Sequence, residues 1–398
     1  MIKVTRKEQC CGCSACEQIC PKGCITFSED SEGFLYPNVN AVKCIDCGLC
    51  EKICPVINQD AERNPKKVYA AKHKDDGIRM MSSSGGVFSC LADKILEQGG
   101  VVFGARFNDR WEVIHDYVET KEDLDLFRGS KYVQSRIGDT FSEVESFLKL
   151  GRKVLFTGTP CQVAGLKKYL GKGYDNLLTI DFVCHGVPSP KVWRMYLYEL
   201  LKTQNASDPE IVLTSIKDDV IIKRINFRDK SVGWKNFSFV CDLSMASEDG
   251  ERGVVLSSVF YENSYMNAFL SNLSLRPSCY ECPARKGKSG ADITIGDFWG
   301  VESVLPNEND DKGISLILEY NESVLILHDL DLVESLYEDV VKGNICISES
   351  VKIPVNRGYF FYRLEKDGFN DSFAASVSDK LYYRIARTLF RKFSNKVK

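Results

Sequence analysis

Nowhere in this chain of 398 residues do eighteen apolar residues run together, and its start, MIKVTRKEQCC, has no apolar stretch behind its charged residues. The first absence excludes a spanning helix and the second a secretory signal, so the expected location is the cytoplasm. A basic excess is also missing. The 52 Lys and Arg stand against 55 Asp and Glu, a formal net charge of −3, which argues against a nucleic-acid partner. Histidine is scarce at four residues. No paired carboxylates and no serine–histidine arrangement point to hydrolysis.

Cysteine, by contrast, is abundant, with seventeen in the chain. In a reducing compartment these are metal ligands or reactive thiols rather than disulfides, and spacing must decide between the two. Cys10, Cys13, Cys16 and Cys20 followed by Pro21 form C-x2-C-x2-C-x3-C-P. Cys44, Cys47, Cys50 and Cys54 followed by Pro55 repeat it. Three thiolates on a tight loop reach three irons of one cubane, and the fourth, a turn further on, serves the other cluster. The expected ligand sets for two [4Fe-4S] clusters are therefore Cys10, Cys13, Cys16 and Cys54, and Cys44, Cys47, Cys50 and Cys20. Cys11 and Cys24 are left over. Zinc sites also use C-x2-C pairs, but with two pairs separated by a longer loop, so zinc is the weaker reading. CITF and GFLYPNV between the arrays look like short strands of a domain whose core would be the clusters themselves. The polar stretch 59–66, QDAERNPK, reads as a linker.

Beyond it the chain is long enough for roughly one or two further domains. VYAAKH and VVFGARF read as strands, and MMSSSGGVFSCLADKILEQGG as a loop feeding a helix. Ser83, Ser84, Gly85 and Gly86 precede that helix, where free N–H groups suit a phosphate; serines and glycines also cap ordinary helices. RKVLFTGTPCQVAGLKKYL and LLTIDFVCHGVPSPKVWRMYLYELL repeat a strand–loop–helix pattern, so α/β units are expected. Their loops carry Cys161 and Cys184, which parallel strands would bring to one carboxyl edge of a sheet. RPSCYECPARKGKSGADITIGDFWG adds Cys279, Cys282 and a strand ending at Gly296-Asp297. These four cysteines are the number a third [4Fe-4S] cluster needs. Two alternatives stay open on spacing alone: a buried, inert Cys161 or Cys184, and a nucleophilic Cys161 at a helix N-terminus. Cys90, Cys241 and Cys346 read as core.

GTPCQVAGL, DFVCHGVPSP, RPSCYEC and DITIGDFWG together resemble the family of coenzyme F-420 hydrogenase/dehydrogenase beta subunits, over about residues 5 to 330. The resemblance implies an α/β (α+β) main domain of that type, behind a small two-[4Fe-4S] ferredoxin-like α+β domain. It further implies FAD and commonly one more [4Fe-4S] cluster, here on Cys161, Cys184, Cys279 and Cys282. Ser83, Ser84, Gly85 and Gly86 then become a flavin-phosphate site, with Thr157, Gly158 and Thr159 as flavin neighbours. Lys131 would stand near the isoalloxazine or its phosphates, and Asp297 and Trp299 would line the same cleft. His185, beside Cys184, is the one histidine expected at the site, as a proton donor or a plain loop residue. The family name refers to a deazaflavin coenzyme that many bacteria lack, so it leaves the redox partner, a protein or a small organic carrier, unidentified. Members with this fused arrangement resemble accessory oxidoreductases of bacterial surface-polysaccharide biosynthesis.

The expected division is therefore 1–58 ferredoxin-like, 59–66 linker, 67–350 flavin- and iron–sulfur-binding oxidoreductase, and 351–398 a C-terminal extension. The expected activity is electron relay between the clusters and FAD, the flavin trading one-electron steps for a two-electron or hydride step with an organic partner. Two rivals are a non-enzymatic electron-transfer subunit without flavin and a thiol enzyme using Cys161. Residues 379–398, DKLYYRIARTLFRKFSNKVK, place Leu381, Ile385, Leu389 and Phe393 at four-residue steps among basic residues, an amphipathic helix. It reads first as packed on its own domain, and alternatively as a peripheral contact with an anionic membrane.

Overall fold

The computed structural model of the chain describes residues 1–204, 220–247, 250–321 and 328–394. Its N-terminal domain holds one antiparallel ribbon, β1 (Ile25–Glu29) against β2 (Leu35–Val39), with Ile25 opposite Val39. Short helical turns carry the cysteine arrays: Ala15–Gln18 follows Ser14, and Leu49–Lys52 follows Gly48, both in the left-handed conformation. The apolar residues buried among the thiols are few, with Ile2 and Ile25 beside Cys24 and Cys50. A domain so small cannot stand on such a core without a staple.

The main domain is built on an eight-stranded sheet. Its strands are β3 (Lys67–His73), β4 (Val101–Phe107), β5 (Val113–Val118), β6 (Val154–Gly158), β7 (Leu177–Phe182), β11 (Ile293–Asp297), β12 (Ser315–Glu319) and β13 (Leu330–Glu334). Their order is β13-β3-β12-β11-β7-β6-β4-β5. The four strands β4, β6, β7 and β11 run parallel, and the flanks on both sides turn antiparallel. Continuous apolar runs in β4 and β6 fit strands buried on both faces, and Val101, Val102, Phe103, Val154, Leu155 and Phe156 are fully buried. The helices Val87–Glu97, Pro160–Leu170 and Pro190–Lys202 follow β3, β6 and β7; proline opens the latter two, where its missing N–H costs nothing.

A second, antiparallel sheet of β8 (Val220–Asp229), β9 (Ser238–Ser247) and β10 (Gly250–Val259), in the order β10-β9-β8, carries an aromatic core. Trp193, Tyr196, Phe227, Phe239 and Tyr265 pack there with Phe360, Leu364 and Phe369. YFFYRL, which the sequence alone assigns to no role, is thus core, on the helix Arg357–Val377 that packs beside Pro190–Lys202. Cys90 and Cys241 are buried as expected. Cys346, read as core, is instead half-buried in the 3-10 turn Ile345–Ile347, its thiol 3.9 Å from His185 Nδ1.

The two domains are joined by buried charge. The Arg276 guanidinium, fully buried, donates to the carbonyls of Cys10 (2.8 Å) and Leu35 (2.8 Å) and to Gln134 Oε1 (3.0 Å). Arg357 forks onto Glu32 at 3.0 and 2.6 Å. Arg63, in the stretch 59–66, donates to the carbonyls of Gly287 and Ala291, so these residues lie along the main domain rather than hanging free. Gly12 has φ +73, and a Cβ there would stand 2.8 Å from an Arg276 nitrogen.

Candidate redox site

The thiols fall into neighbouring groups. Cys16 and Cys54 interact with each other and with Cys10 and Cys50. Cys20, Cys44, Cys47 and Cys50 line one small cavity, together with Cys24, whose thiol lies 3.3 Å from that of Cys20. Both arrays are therefore interleaved, the second array's Cys54 lying with the first and the first array's Cys20 with the second. Cys24, left over in the sequence, belongs spatially to the second group.

The third group is assembled by tertiary structure. Cys161 lies in the first turn of the helix Pro160–Leu170, not on the loop before it. Cys184 follows β7, and Cys279 and Cys282 lie at the 3-10 turn Pro277–Glu281. Cys184 interacts with Cys279, Cys161 and Cys282, and Cys282 with Cys161. Cys11, the other leftover, is buried between Cys13 of the N-terminal domain and Cys161 of the main domain. Close approach is possible there because residue 165 is glycine: a Cβ on it would stand 2.9 Å from Cys13 Cβ. Among the described residues no group of three or more ligand-type side chains is arranged to hold a single metal ion. What the thiols share is proximity in groups.

Beside the third group opens a cavity of about 580 Å3. Cys184 and His185 form part of its wall, with Ser83, Ser84, Gly86, Lys131, Thr157, Gly158, Thr159, Asp297 and Trp299, and with apolar surface from Phe127, Phe182, Phe260, Phe269 and Ile295. Gly85 is not on the wall; its N–H donates to Ser315 Oγ, and a Cβ would lie 2.2 Å from the Ala71 carbonyl. Ser83 Oγ accepts from the N–H (2.7 Å) and hydroxyl (2.9 Å) of Ser130, tying the two loops together. Gly86, φ +90, starts the helix Val87–Glu97 with no side chain bound to its first N–H groups. Gly86, Val87 and Phe88 line the cavity, and the start of a helix favours an anion.

Lys131 stands on the wall, yet its ammonium is turned onto its own loop, donating to the carbonyls of Leu126 (2.9 Å), Arg128 (2.9 Å) and Gly129 (3.3 Å). Burial lowers its pKa to about 7. His185 is also committed: Nε2 is 2.7 Å from Asn272 Oδ1 and Nδ1 is 3.9 Å from the Cys346 thiol. Burial lowers its pKa from the usual histidine value. Asp297 accepts both arms of Arg228 (2.9 and 3.1 Å) and the indole N–H of Trp234 (2.8 Å). Trp234 in turn stacks on Trp299 at 4.9 Å.

Residues 68–140 and 151–329 match the N-terminal and C-terminal descriptions of the coenzyme F420 hydrogenase/dehydrogenase beta subunit, and residues 9–58 match a 4Fe-4S dicluster domain. The chain belongs to this family of beta subunits. Its N-terminal 4Fe-4S dicluster domain is fused to a main domain of the beta-subunit type. A curated relative, one of the subunits of the F(420)H(2) dehydrogenase of Methanosarcina mazei, is 30% identical over 174 residues, 41% of this chain. The match spans about half, 49%, of that relative's length. A solved structure, the F420-reducing [NiFe] hydrogenase complex from Methanosarcina barkeri, aligns with 77% of this chain and 96% of its own at 16% identity, TM-score 0.46.

Within the main domain of this beta-subunit type, two wall residues have no sequence signal. Arg228 comes from β8, a strand of mixed polar and apolar residues, and reaches Asp297 only in the folded sheet. Its guanidinium also lies 4.1 Å from the Phe237 ring centre. His115, on β5, donates from Nε2 to the Thr157 carbonyl (3.0 Å), and its Nδ1 lies 2.9 Å from Ser135 Oγ. Burial lowers its pKa to about 4. Thr157 is already expected at the site; nothing in the sequence pairs it with His115.

Proposed function

We propose that the chain is an iron–sulfur flavoprotein oxidoreductase, holding two [4Fe-4S] clusters in its N-terminal domain, a third on Cys161, Cys184, Cys279 and Cys282, and FAD in the 580 Å3 cavity. The observation that carries this reading is continuity. Thiols run from the N-terminal domain through Cys13, Cys11 and Cys161 to Cys184, which stands on the cavity wall. The cavity's lining also fits a dinucleotide flavin. Arg128, Arg228 and Lys235 give the wall positive charge, which favours an anionic group. Aromatic and aliphatic side chains supply apolar walls for a planar ring.

When bound, the clusters supply one-electron transfer, and the flavin couples it to a two-electron or hydride exchange with an organic partner. The chain's own residues position and shield. Ser83 and Ser130 lock the phosphate-side loop, and the Arg228–Asp297–Trp234 array fixes the opposite wall. Lys131 pins the turn 126–129 rather than reaching into the cavity, and His185 holds its proton toward Asn272. The external partner is, in this reading, a redox protein or a small organic carrier, with deazaflavin one candidate; a role in surface-polysaccharide biosynthesis rests on the family resemblance. The test is an anaerobic count of iron, sulfide and flavin per chain, repeated on Cys279→Ser. The expected result is about twelve irons and about one FAD, with about four irons lost in the variant. About eight irons, no flavin and no change in the variant would overturn it in favour of a plain electron carrier.

A further inference from the structure

Among the described residues, the helix Leu381–Ser394 meets the rest of the chain through the side that carries Phe390 and Arg387. Phe390 packs on Tyr359 (5.5 Å) and Tyr362 (5.1 Å), and the buried Arg387 donates to the carbonyls of Ala375 (2.7 Å) and Ser378 (2.8 Å). Those contacts fix which face looks outward. Leu381, Ile385 and Leu389 fall at four-residue steps on it, and they are 70%, 50% and 49% exposed. Tyr382, beside them, is 57% exposed. The helix is thus packed on its own domain, as first expected, but through its Phe390 and Arg387 side, which leaves the aliphatic stripe uncovered. Arg384 and Arg391 are exposed along one flank of the stripe.

Charge says what would cover it. Residues 379–398 carry seven Lys and Arg against one Asp, a local charge of +6 in a chain whose total is −3. A second copy would bring the same positive helix and repel it, and a nucleic acid would satisfy the cations but leave the aliphatic stripe in water. An anionic lipid surface satisfies both, taking the stripe into its headgroup boundary and the arginines at its phosphates. No helix among the described residues is long and apolar enough to cross a membrane, so the contact would be peripheral. We propose that the helix Leu381–Ser394 lies flat on an anionic membrane, with Leu381, Ile385 and Leu389 inserted and Arg384 and Arg391 at the lipid phosphates.

The test is flotation of the full-length, cofactor-loaded protein with vesicles of phosphatidylcholine alone or with about 30% phosphatidylglycerol. The expected result is flotation with the anionic vesicles only, released as salt rises toward about 0.5 M. Ile385→Ser with Leu389→Ser, and separately Arg384→Gln with Arg391→Gln, should each lower the bound fraction about tenfold. These side chains are exposed, so iron content and sedimentation should stay unchanged, which separates lost binding from lost folding. Failure of the parent protein to float, equal flotation with neutral vesicles, or unaltered binding by both variants would overturn the proposal. So would a concentration-dependent dimer abolished by Leu389→Ser, which would make the stripe an interface between copies.

Discussion

The eight array cysteines and the four main-domain cysteines are brought together in opposite ways. The first eight lie within residues 10–54, in a domain whose own core is little more than Ile2 and Ile25, its Ala15, Phe34 and Ile53 being buried in clusters shared with the main domain. The other four are spread over residues 161–282 and come together only because β6, β7 and the turn Pro277–Glu281 meet at one sheet edge. That edge has a core of its own on both faces. The difference teaches that thiols close in sequence can be gathered with almost no core, whereas dispersed ones presuppose one.

The sharpest way to break the comparison is to remove iron. Chelation should abolish amide protection through residues 1–58, by at least ~10^3-fold, while leaving the main sheet protected. Hydrogen-exchange mass spectrometry reads both regions in one experiment, and equal loss in both would erase the distinction. Next in size is Arg228→Ala, which leaves Asp297 beside Trp234 without its cation. It should cost the main domain about 3 kcal/mol in urea unfolding and remove flavin, with the iron of the N-terminal domain retained. Arg276→Ala is expected to cost about 2 kcal/mol, because the Cys10 and Leu35 carbonyls lose a buried, charged donor. Its signature should be separation of one calorimetric transition into two. The smallest effect is titration of His115. Its folded pKa, about 4, lies below the unfolded value of about 6.5, so the unfolded chain binds the extra proton and stability is lost as pH falls through that window. Between pH 6.5 and 5 the loss should be about 1.5 kcal/mol, absent in His115→Gln, read from urea midpoints.

Much of the frame was legible in advance. Strands at VYAAKH, VVFGARF and DITI, and the proline-opened helices after Gly158 and Pro188, announced themselves by apolar runs, glycine and proline. Spacing also led to the expectation that Cys20 and Cys54 change places between the arrays, and their thiols lie beside the other array's. The cavity was harder. Lys131 and His185 do line the cavity, but only the fold shows that carbonyls of the turn 126–129 hold the one and that Asn272 and Cys346 engage the other. Arg228 was invisible because it sits 69 residues from Asp297 on another sheet. The same holds for Cys11, whose neighbour Cys161 is brought to it by a domain contact that depends on the absence of a side chain at Gly165.

Covalent spacing therefore determined what could bind within one loop: two cubane-type thiol sets and the class of redox chemistry. Reach along the chain is short and set by bond geometry, so sequence suffices at that range. Tertiary structure alone decided what spans distant segments: the third thiol group, the Arg228–Asp297–Trp234 wall, the neutral His115 and the outward face of the last helix. Those depend on which strands become neighbours and which helix face is buried. Both are settled by packing of the whole core rather than by any local pattern.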